Sequence, residues 1–366
     1  MHAARLLLSL LIKKGYRMEI ALIGPYPPPM GGVSVHIQRL AMRLIENGIN
    51  CTVYKTNRIG YKNNADSSKN RFFKFYFVPK ENIIHFHSSG YELKILIIVL
   101  YYIILGKKLV ITYHSLRKTR KIIELLGKVL INCISKFNIC IIAVNFHIKE
   151  NFIKMGVNEG DVRLIPAFIP PVVNKEEMTA IPKGTRDFID IHKPIISTNA
   201  ANLVYYNNED LYGIDMCIDL CTYLKDGYPK IGFICCLPYI KNDCYINMLK
   251  ERVKKNNIEN NFLFQVESCQ LYPILMESDI FLRPTNNDGD SVSLREALYF
   301  SIPSIASDVV SRPSGAVVFK NRNIDDFISK VKNMLIDYEK YKEKLKGLEY
   351  EDGFDSILKS YQKLNG

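Results

Sequence analysis

Two carboxylates frame a glycine-containing loop in the second half of the chain. Asp288 precedes Glu296 by eight residues in the run Arg283-Pro-Thr-Asn-Asn-Asp-Gly-Asp-Ser-Val-Ser-Leu-Arg-Glu296. The apolar residues before Arg283 predict a strand, and apolar residues recur at helical spacing from Leu294 onwards. Amides at a helix start that follows a parallel strand can hold a diphosphate, and carboxylates accept hydrogen bonds from sugar hydroxyls. The pattern therefore predicts a site for a nucleotide sugar.

The same segment resembles the hallmark of the family-four glycosyltransferases, in which an acid, seven residues and a Glu are followed by Ala and a Pro-containing strand. The matching residues are Asp288, Glu296-Ala297-Leu298 and Ile302-Pro-Ser-Ile-Ala-Ser-Asp308. Asp stands where the family usually has its first Glu, which keeps the charge but shortens the reach. Other landmarks of the family follow in order from Met18 to about the C-terminus. The resemblance implies a retaining, metal-independent enzyme with the GT-B fold, two doubly wound, Rossmann-like α/β domains that face a cleft.

The resemblance also implies roles for individual residues. Glu296 would accept hydrogen bonds from the ribose hydroxyls, and Asp288 would bind the hydroxyls of the transferred sugar. Loop amides would stabilise the charge that develops on the leaving diphosphate, and no protein nucleophile is implied. The expected donor-binding residues are Gly31, Gly32, Gly289, Asp290, Ser291, Val292, Ser293 and Glu296, and the expected catalytic residues are Asp288 and His114.

A second glycine-containing loop lies near the start of the chain, between Gly24 and His36. Its Gly31-Gly32 pair resembles the N-terminal Gly-Gly motif of the family. Paired glycines let the backbone approach a substrate closely, and the following helix start favours the leaving diphosphate. Glycines are also common in turns before helices, and His36 can equally be an ordinary, partly buried histidine.

Three further histidines fall at strand positions. His114 ends the predicted strand that begins at Lys108 and resembles a family position beside the reacting sugar; the alternative is a histidine that caps the next loop. His85 and His87 are two residues apart and so share one face of a strand. They could suggest a metal pair, but no third ligand is expected nearby, and packing is the favoured interpretation.

The family usually carries an Arg and a Lys before the first helix of its second domain, where they neutralise the phosphates of the donor. Here Tyr212 stands where Lys would precede Gly213, and neither cation is evident. Arg283, Arg295 and Arg312 are the candidates to supply the charge. The run Asp288-Gly-Asp290 could instead hold Mg²⁺ or Mn²⁺, but the match to a metal-independent family disfavours a metal and implies no cofactor.

The remaining chain shows alternating strand and helix patterns, which predict parallel sheets covered on both faces. We expect an acceptor-side Rossmann-like domain over residues 18–175, a linker over 176–193, and a nucleotide-sugar-binding domain over 194–366; four prolines between residues 165 and 184 mark the boundary. Residues 57–70 are polar and predict a mobile loop. Residues 1–17 are either an extension or a short amphipathic segment at a membrane surface, and the apolar run over residues 95–105 is too short to span a membrane and predicts a buried helix.

The charge is divided unevenly. Residues 1–175 contain 26 basic and 9 acidic side chains, whereas residues 176–366 contain 23 basic and 28 acidic ones. A basic first half suits contact with anionic lipid head groups or a phosphate-bearing acceptor, and the alternative is a solvated, lysine-rich surface. The nine cysteines show no metal-ligand spacing and indicate reduced core residues of a cytoplasmic protein.

The resemblance implies a hexosyltransferase that moves a sugar from a nucleotide-sugar donor to a glycan or a lipid-linked acceptor in surface polysaccharide synthesis. It would work in the cytoplasm, peripherally on the inner face of the membrane. Two alternatives stay open: a nucleotide-sugar epimerase on the same fold, and a basic nucleic-acid-binding protein. The second is disfavoured, with no nucleic-acid partner expected, because the chain lacks the basic-aromatic motifs of known modules and its second half is acidic.

Overall fold

The structure is a computed structural model of the chain. It describes residues 18–28, 30–56, 71–72, 79–90, 93–117, 139–240, 242–267, 269–350 and 352–365. The predictions for residues 1–17 and 57–70 lie outside these ranges. The chain divides into two compact units, one made of residues 1–28, 33–169 and 352–366 and the other of residues 29–32 and 170–351.

The first unit is built on a parallel sheet of seven described strands in the order β3-β2-β1-β4-β5-β6-β7. Every residue of β6 is buried, as expected for a strand covered on both faces. The strands are β1 (Glu19–Gly24), β2 (Asn50–Lys55), β3 (Arg71–Phe72), β4 (Ile83–Gly90), β5 (Lys108–Arg117), β6 (Ile139–Ala143) and β7 (Val162–Leu164).

Four described α-helices cover this sheet: α1 (Gly32–Glu46), α2 (Leu93–Ile104), α3 (Phe146–Lys154) and, from the end of the chain, the helix Gly353–Asn365. A 3-10 turn, Glu159–Asp161, precedes β7. In α1, Ile37, Leu40 and Leu44 are fully buried because they recur on one helical face. The helix α2 confirms the apolar run as a helix, but the expectation that it is buried is wrong for one of its faces: Val99 and Tyr102 are fully buried, whereas Ile97 and Ile104 are 47% and 83% exposed.

The second unit is built on a parallel sheet of six described strands in the order β12-β11-β8-β13-β14-β15. It contains β8 (Ile195–Asn199), β11 (Gly232–Cys236), β12 (Phe262–Gln265), β13 (Ile280–Arg283), β14 (Ser304–Ser307) and β15 (Val317–Phe319), beside a small antiparallel hairpin of β9 (Tyr205–Tyr206) and β10 (Glu209–Asp210). The helices are α4 (Lys175–Thr179), α5 (Lys183–Ile191), α6 (Ile214–Leu224), α7 (Asp243–Lys255), α8 (Leu271–Met276), α9 (Val292–Tyr299), α10 (Ile324–Ile336) and α11 (Tyr338–Lys346).

The domain boundaries differ from the sequence prediction in two places. The expected linker over residues 176–193 contains helices, and Ile181 and Ile189 pack into a core with Ile195 and Ile234 of the second unit. The expected second domain over residues 194–366 is wrong at its end, because the last helix, α12 (Gly353–Asn365), belongs to the first unit. Its apolar face, including Ile357 and Tyr361, joins the core formed by β1 and α1.

Both units match the predicted α/β architecture of doubly wound parallel sheets. The predicted strand that begins at Lys108 corresponds to β5, and the predicted strand before Arg283 corresponds to β13. Among the described residues, no helix combines the length and apolar character needed to cross a bilayer.

Candidate functional site

The predicted donor loop leaves the sheet of the second unit at the carboxyl end of β13. Strands β8 and β14 flank β13 in parallel, so Asn199, Arg283 and Ser307 end side by side. Arg283 donates from Nη1 to the backbone oxygen of Asn199 at 3.3 Å. Ser307 donates from Oγ to the backbone oxygen of Thr285. The neighbouring strand ends therefore fix the first residues of the loop.

Asp288 lies at the centre of this loop, and protein donors occupy its carboxylate. Arg283 donates to both oxygens, from Nε to Oδ2 at 3.1 Å and from Nη2 to Oδ1 at 3.0 Å. Arg312 donates from Nη1 to Oδ2 at 2.8 Å, Thr285 donates from Oγ1 to Oδ2 at 3.1 Å, and Gly289 donates its amide to Oδ1 at 3.0 Å. A carboxylate offers about four lone-pair positions, so Asp288 as placed holds the two arginines and leaves no acceptor for a sugar hydroxyl.

The two arginines give the loop a buried positive charge. Burial alone would raise the pKa of Asp288, but the guanidinium groups of Arg283 and Arg312 outweigh it and lower the pKa to about 2. Asp288 is therefore ionised at neutral pH, and two guanidinium groups around one carboxylate leave one positive charge. The side chains of Arg283 and Arg312 are only 11% and 2% exposed, so solvent screens this charge weakly.

Tyr212, which replaces the expected Lys, contacts one of these arginines. The guanidinium carbon of Arg283 lies 5.3 Å from the centre of the Tyr212 ring, within the range of a cation–π interaction. The aromatic ring at position 212 therefore contacts a cation, Arg283, that strand β13 supplies. The sequence named Arg283 and Arg312 among three candidates, and the structure groups these two on Asp288, whereas Arg295 pairs with Asp290.

The segment that carries Tyr212 packs directly on the donor loop. Gly213 has a φ of +69°, and a Cβ at this position would lie 2.2 Å from the backbone oxygen of Pro284. Asp210 accepts hydrogen bonds from the amides of Tyr212, Gly213 and Ile214 and from the Tyr245 hydroxyl. Sequence analysis missed Asp210, although an acid just before a helix start was a visible signal for a loop-closing role.

Helix α9 begins directly after the loop. Ser291 caps it by accepting the amide of Leu294 at 3.3 Å, and Ser293 lies within hydrogen-bond reach of Ser291 Oγ at 3.2 Å. The amides of Val292 and Ser293 belong to the first helical turn and have no acceptor within the helix. Glu296 lies one turn further on the same face as Ser293, and its residue is 2% exposed.

Asp290 is also paired with an arginine, since Arg295 donates from Nε to Asp290 Oδ1 at 2.5 Å. Both carboxylates of the Asp288-Gly-Asp290 run thus have guanidinium partners in the structure. A hard cation would have to displace these arginines in order to bind both acids.

Four histidines gather in the first unit. His36 lies in the first turns of α1, His85 and His87 lie on β4, and His114 lies on β5. The ring centres of His36 and His114 are 5.0 Å apart, and those of His87 and His114 are 5.5 Å apart. Gly24, at the end of β1, makes room for the group, because an added Cβ would lie 3.1 Å from His87 Cβ. The expectation that no third ligand lies near the His85 and His87 pair is wrong, because His36 and His114 both approach His87.

His85 and the other three histidines have different surroundings. Both nitrogens of His85 have hydroxyl partners, Tyr361 at 2.5 Å and Thr112 at 2.7 Å. His36 uses Nδ1 to contact the backbone oxygen of Ala167 at 2.6 Å, and His87 Nδ1 lies 3.2 Å from His114 Nε2. Burial lowers the pKa of His36 to about 4, and it lowers the pKa values of His87 and His114 well below the ordinary value. All three are therefore neutral at pH 7.

The predicted glycine pair spans the junction of a loop and a helix. Gly31 is the last residue before α1, and Gly32 is its first residue. Both belong to the short segment of residues 29–32 that groups with the second unit.

Comparison with known proteins finds similarity in structure only. No protein-family model matches the chain, and no curated protein sequence matches it. A glycosyltransferase from Rickettsia africae is similar in structure with a TM-score of 0.70 and 10% identity over 95% of this chain and 99% of that one. The Anabaena protein HepE in complex with UDP gives a TM-score of 0.62 and 11% identity over 95% and 97% of the two chains.

A third similar structure is the lipopolysaccharide outer core galactosyltransferase WaaB, with a TM-score of 0.58 and 16% identity over 94% of this chain and 99% of that one. These identities are low, so the similarity establishes the fold. The chain has the GT-B fold, as predicted.

Proposed function

We propose that this protein is a glycosyltransferase that uses a nucleotide-sugar donor, with the nucleotide bound to the second unit. The observation that carries the proposal is the donor loop itself. A buried pair, Arg283 and Arg312, lies at the carboxyl ends of parallel strands, directly before the first turn of α9. A net positive charge beside helix amides suits a diphosphate. The neighbours with this fold include HepE in complexes with UDP and with UDP-glucose, which supports a uridine nucleotide as the first candidate.

The proposed reaction breaks the bond between the anomeric carbon and the diphosphate oxygen and forms one between that carbon and an acceptor hydroxyl. Negative charge grows on the leaving diphosphate, where the amides of Val292 and Ser293 and the charge of the arginine pair stabilise it. The acceptor proton passes to the leaving phosphate oxygen. Attack from the face that the diphosphate leaves gives retention, and no step requires a metal ion.

Glu296 is the proposed acceptor for the ribose hydroxyls, because it is a carboxylate one turn along α9 from the helix start. Asp288 holds the arginine pair, and a contact with the transferred sugar would require one of its present donors to leave. His114 remains the proposed contact to the sugar from the first unit. The acceptor is proposed to be a glycan or a lipid-linked saccharide of a surface polysaccharide, reached at the inner membrane face through the basic first unit.

Binding and turnover with a panel of nucleotide sugars test this proposal. We expect isothermal titration calorimetry to detect binding of a nucleotide sugar, with a UDP-sugar as the first candidate, at one molecule per chain. NMR of the product should show that the anomeric configuration of the donor is retained. Conversion of the sugar nucleotide without any acceptor would identify an epimerase instead. Preference for DNA over every nucleotide sugar would reject the enzyme.

A further inference from the structure

Three histidines of the first unit bring ring nitrogens together in a buried group. The candidate ligand atoms of His36, His87 and His114 all lie within 4.8 Å of one another. The ring centres of His36 and His87 are 5.2 Å apart, similar to the other two separations in the group. These residues come from α1, β4 and β5, so three separate elements converge on one point.

The hydrogen bonds of these histidines leave part of the group unsatisfied. His36 Nδ1 faces the carbonyl oxygen of Ala167 and must therefore donate, which leaves Nε2 as an unprotonated acceptor. This Nε2 is buried without a hydrogen-bond partner, and so is Nε2 of His87. Orphaned polar atoms in a protein interior cost free energy and call for an explanation.

Simple packing explains the neighbouring His85 better than it explains this group. Both ring nitrogens of His85 have hydroxyl partners, so it is a satisfied core histidine. Within the group of three, one contact, between His87 Nδ1 and His114 Nε2, accounts for a single pair of nitrogens. The buried Nε2 atom of His36 remains without a hydrogen-bond partner in that arrangement.

We propose that His36, His87 and His114 bind one late first-row divalent metal ion, with Zn²⁺ as the expected ion. Three histidines supply three of the four positions of a tetrahedral zinc site and leave the fourth to water or another donor. Imidazole nitrogen is a preferred ligand for zinc, copper and nickel, whereas Mg²⁺ prefers oxygen. This site goes beyond the proposed glycosyl transfer; the two proposals share His114, so the metal site is tested by readouts that do not involve turnover.

The geometry suits such an ion. Two nitrogens on a tetrahedral zinc are about 3.3 Å apart at the usual bond length, and His87 Nδ1 lies 3.2 Å from His114 Nε2. Three imidazoles on one zinc have ring centres about 5 Å apart, which matches the 5.0 Å, 5.2 Å and 5.5 Å observed.

The surroundings supply what a zinc site needs beyond its ligands. The carbonyl oxygen of Ala167 fixes the ring and the tautomer of His36, as carbonyls commonly do for metal-bound histidines. A bound ion would tie the start of α1 to the ends of β4 and β5.

The test uses the full chain without a histidine tag, stripped with a chelator and titrated with Co²⁺, whose visible absorption reports tetrahedral coordination. We expect one equivalent to bind with tetrahedral d–d bands and without the charge-transfer band of thiolate ligands. Zn²⁺ should displace it. At a Zn²⁺ concentration about 100 times the Kd, the melting temperature of the first unit should rise by about 5–10 °C.

Two variants locate the ion. His114→Gln removes a ligand at the partly buried edge of the group, and we expect it to lose the cobalt spectrum and the zinc-dependent rise in melting temperature. His147→Gln changes an exposed histidine on α3 and should retain both. Should His114→Gln fold poorly, zinc content by mass spectrometry of His36→Gln gives the same comparison.

Several outcomes would overturn the proposal. They are no retained cobalt in the wild-type chain, an octahedral spectrum, a thiolate charge-transfer band, and equal metal content in the wild-type and His114→Gln proteins. Each readout is independent of turnover, so a failure of the metal site and a failure of glycosyl transfer are distinguished.

Discussion

At the scale of single residues, the structure shows Asp288 bound to two arginines, a role that its spacing in the sequence did not predict. The resemblance assigned it to the hydroxyls of the transferred sugar, but its carboxylate accepts five hydrogen bonds from four residues, and three of these bonds come from two buried arginines. The acid therefore organises positive charge beside the helix start. Glu296, also buried, remains the carboxylate proposed to contact the donor.

Replacing Asp288 tests its structural task. Asp288→Asn leaves two buried guanidinium groups without their counter-ion, so we expect the free energy of unfolding to fall by about 3–5 kcal/mol at pH 7. Urea denaturation measures this, with Asp226→Asn, an exposed acid, as the control. A loss below about 1 kcal/mol would contradict the buried ion-pair network.

The pH dependence of stability gives a second view of Asp288. Its pKa falls from 3.8 to about 2 in the folded protein. Because the pKa is lower in the folded protein, the ionised carboxylate stabilises the folded state by about 2 kcal/mol at pH values above the unfolded pKa. This stabilisation is lost as the pH falls from about 5 towards 2. The wild type should lose that much more stability over this range than Asp288→Asn, and parallel curves for the two proteins would contradict the assignment.

Glu296→Gln tests the proposed donor contact. Removal of the negative charge weakens hydrogen bonds from the ribose hydroxyls by about 1.5–3 kcal/mol, so donor affinity should fall roughly 10- to 100-fold. Calorimetric titration with the bound nucleotide sugar measures the effect, and Glu259→Gln, at an exposed position, serves as the control. Unchanged affinity and turnover in folded Glu296→Gln would remove Glu296 from the site.

At the scale of elements, the donor loop depends on a neighbouring segment that comes about 70 residues earlier in the chain. Asp210 closes the turn at Tyr212 and Gly213, and the backbone of Gly213 packs on Pro284. Tyr212 then lies under the guanidinium group of Arg283. The start of α6 and the loop before α9 thus form one packed structure.

Gly213→Ala tests that packing. The substitution combines a left-handed backbone, which costs about 1–2 kcal/mol for a residue with a Cβ, with a Cβ only 2.2 Å from Pro284 O. We expect a lower melting temperature and weaker donor binding, because Pro284 must move and shift Arg283. Gly227→Ala is the matched control, since its added Cβ would meet nothing closer than 3.9 Å. Equal stability of the two variants would contradict the packing described.

At the scale of the whole molecule, the chain ends in the unit in which it began. Helix α12 places Phe354, Ile357 and Tyr361 in the core of the first unit. The Tyr361 hydroxyl also forms a hydrogen bond with Nδ1 of His85. The core of the first unit is therefore incomplete without residues 353–365.

Ile357→Ala tests this assignment. The side chain is 1% exposed, and its truncation should cost about 2–5 kcal/mol. Hydrogen exchange should show lost protection in β1 and β4, with β8 and β13 little changed, whereas Lys359→Ala at an exposed position should change neither set. Loss of protection confined to β8 and β13 would contradict the placement of α12.

The sequence by itself determined the elements of this protein and the location of its donor loop. Apolar runs and helical spacing depend on near neighbours, so they predicted the helix over residues 95–105 and the strand that begins at Lys108. The run from Arg283 to Glu296 likewise predicted a strand, a loop and a helix start, which the structure contains.

Only the tertiary structure decided which distant side chains meet. Arg312 reaches Asp288 across 24 residues, His36 and His114 meet at His87, and α12 returns to the first unit. These contacts join residues that are far apart in the chain. The order of the parallel strands and the burial of their side chains determine which residues meet, and a local sequence pattern does not contain that information. The sequence therefore indicated where the donor loop lies, whereas the fold decided which charges and histidines surround each site.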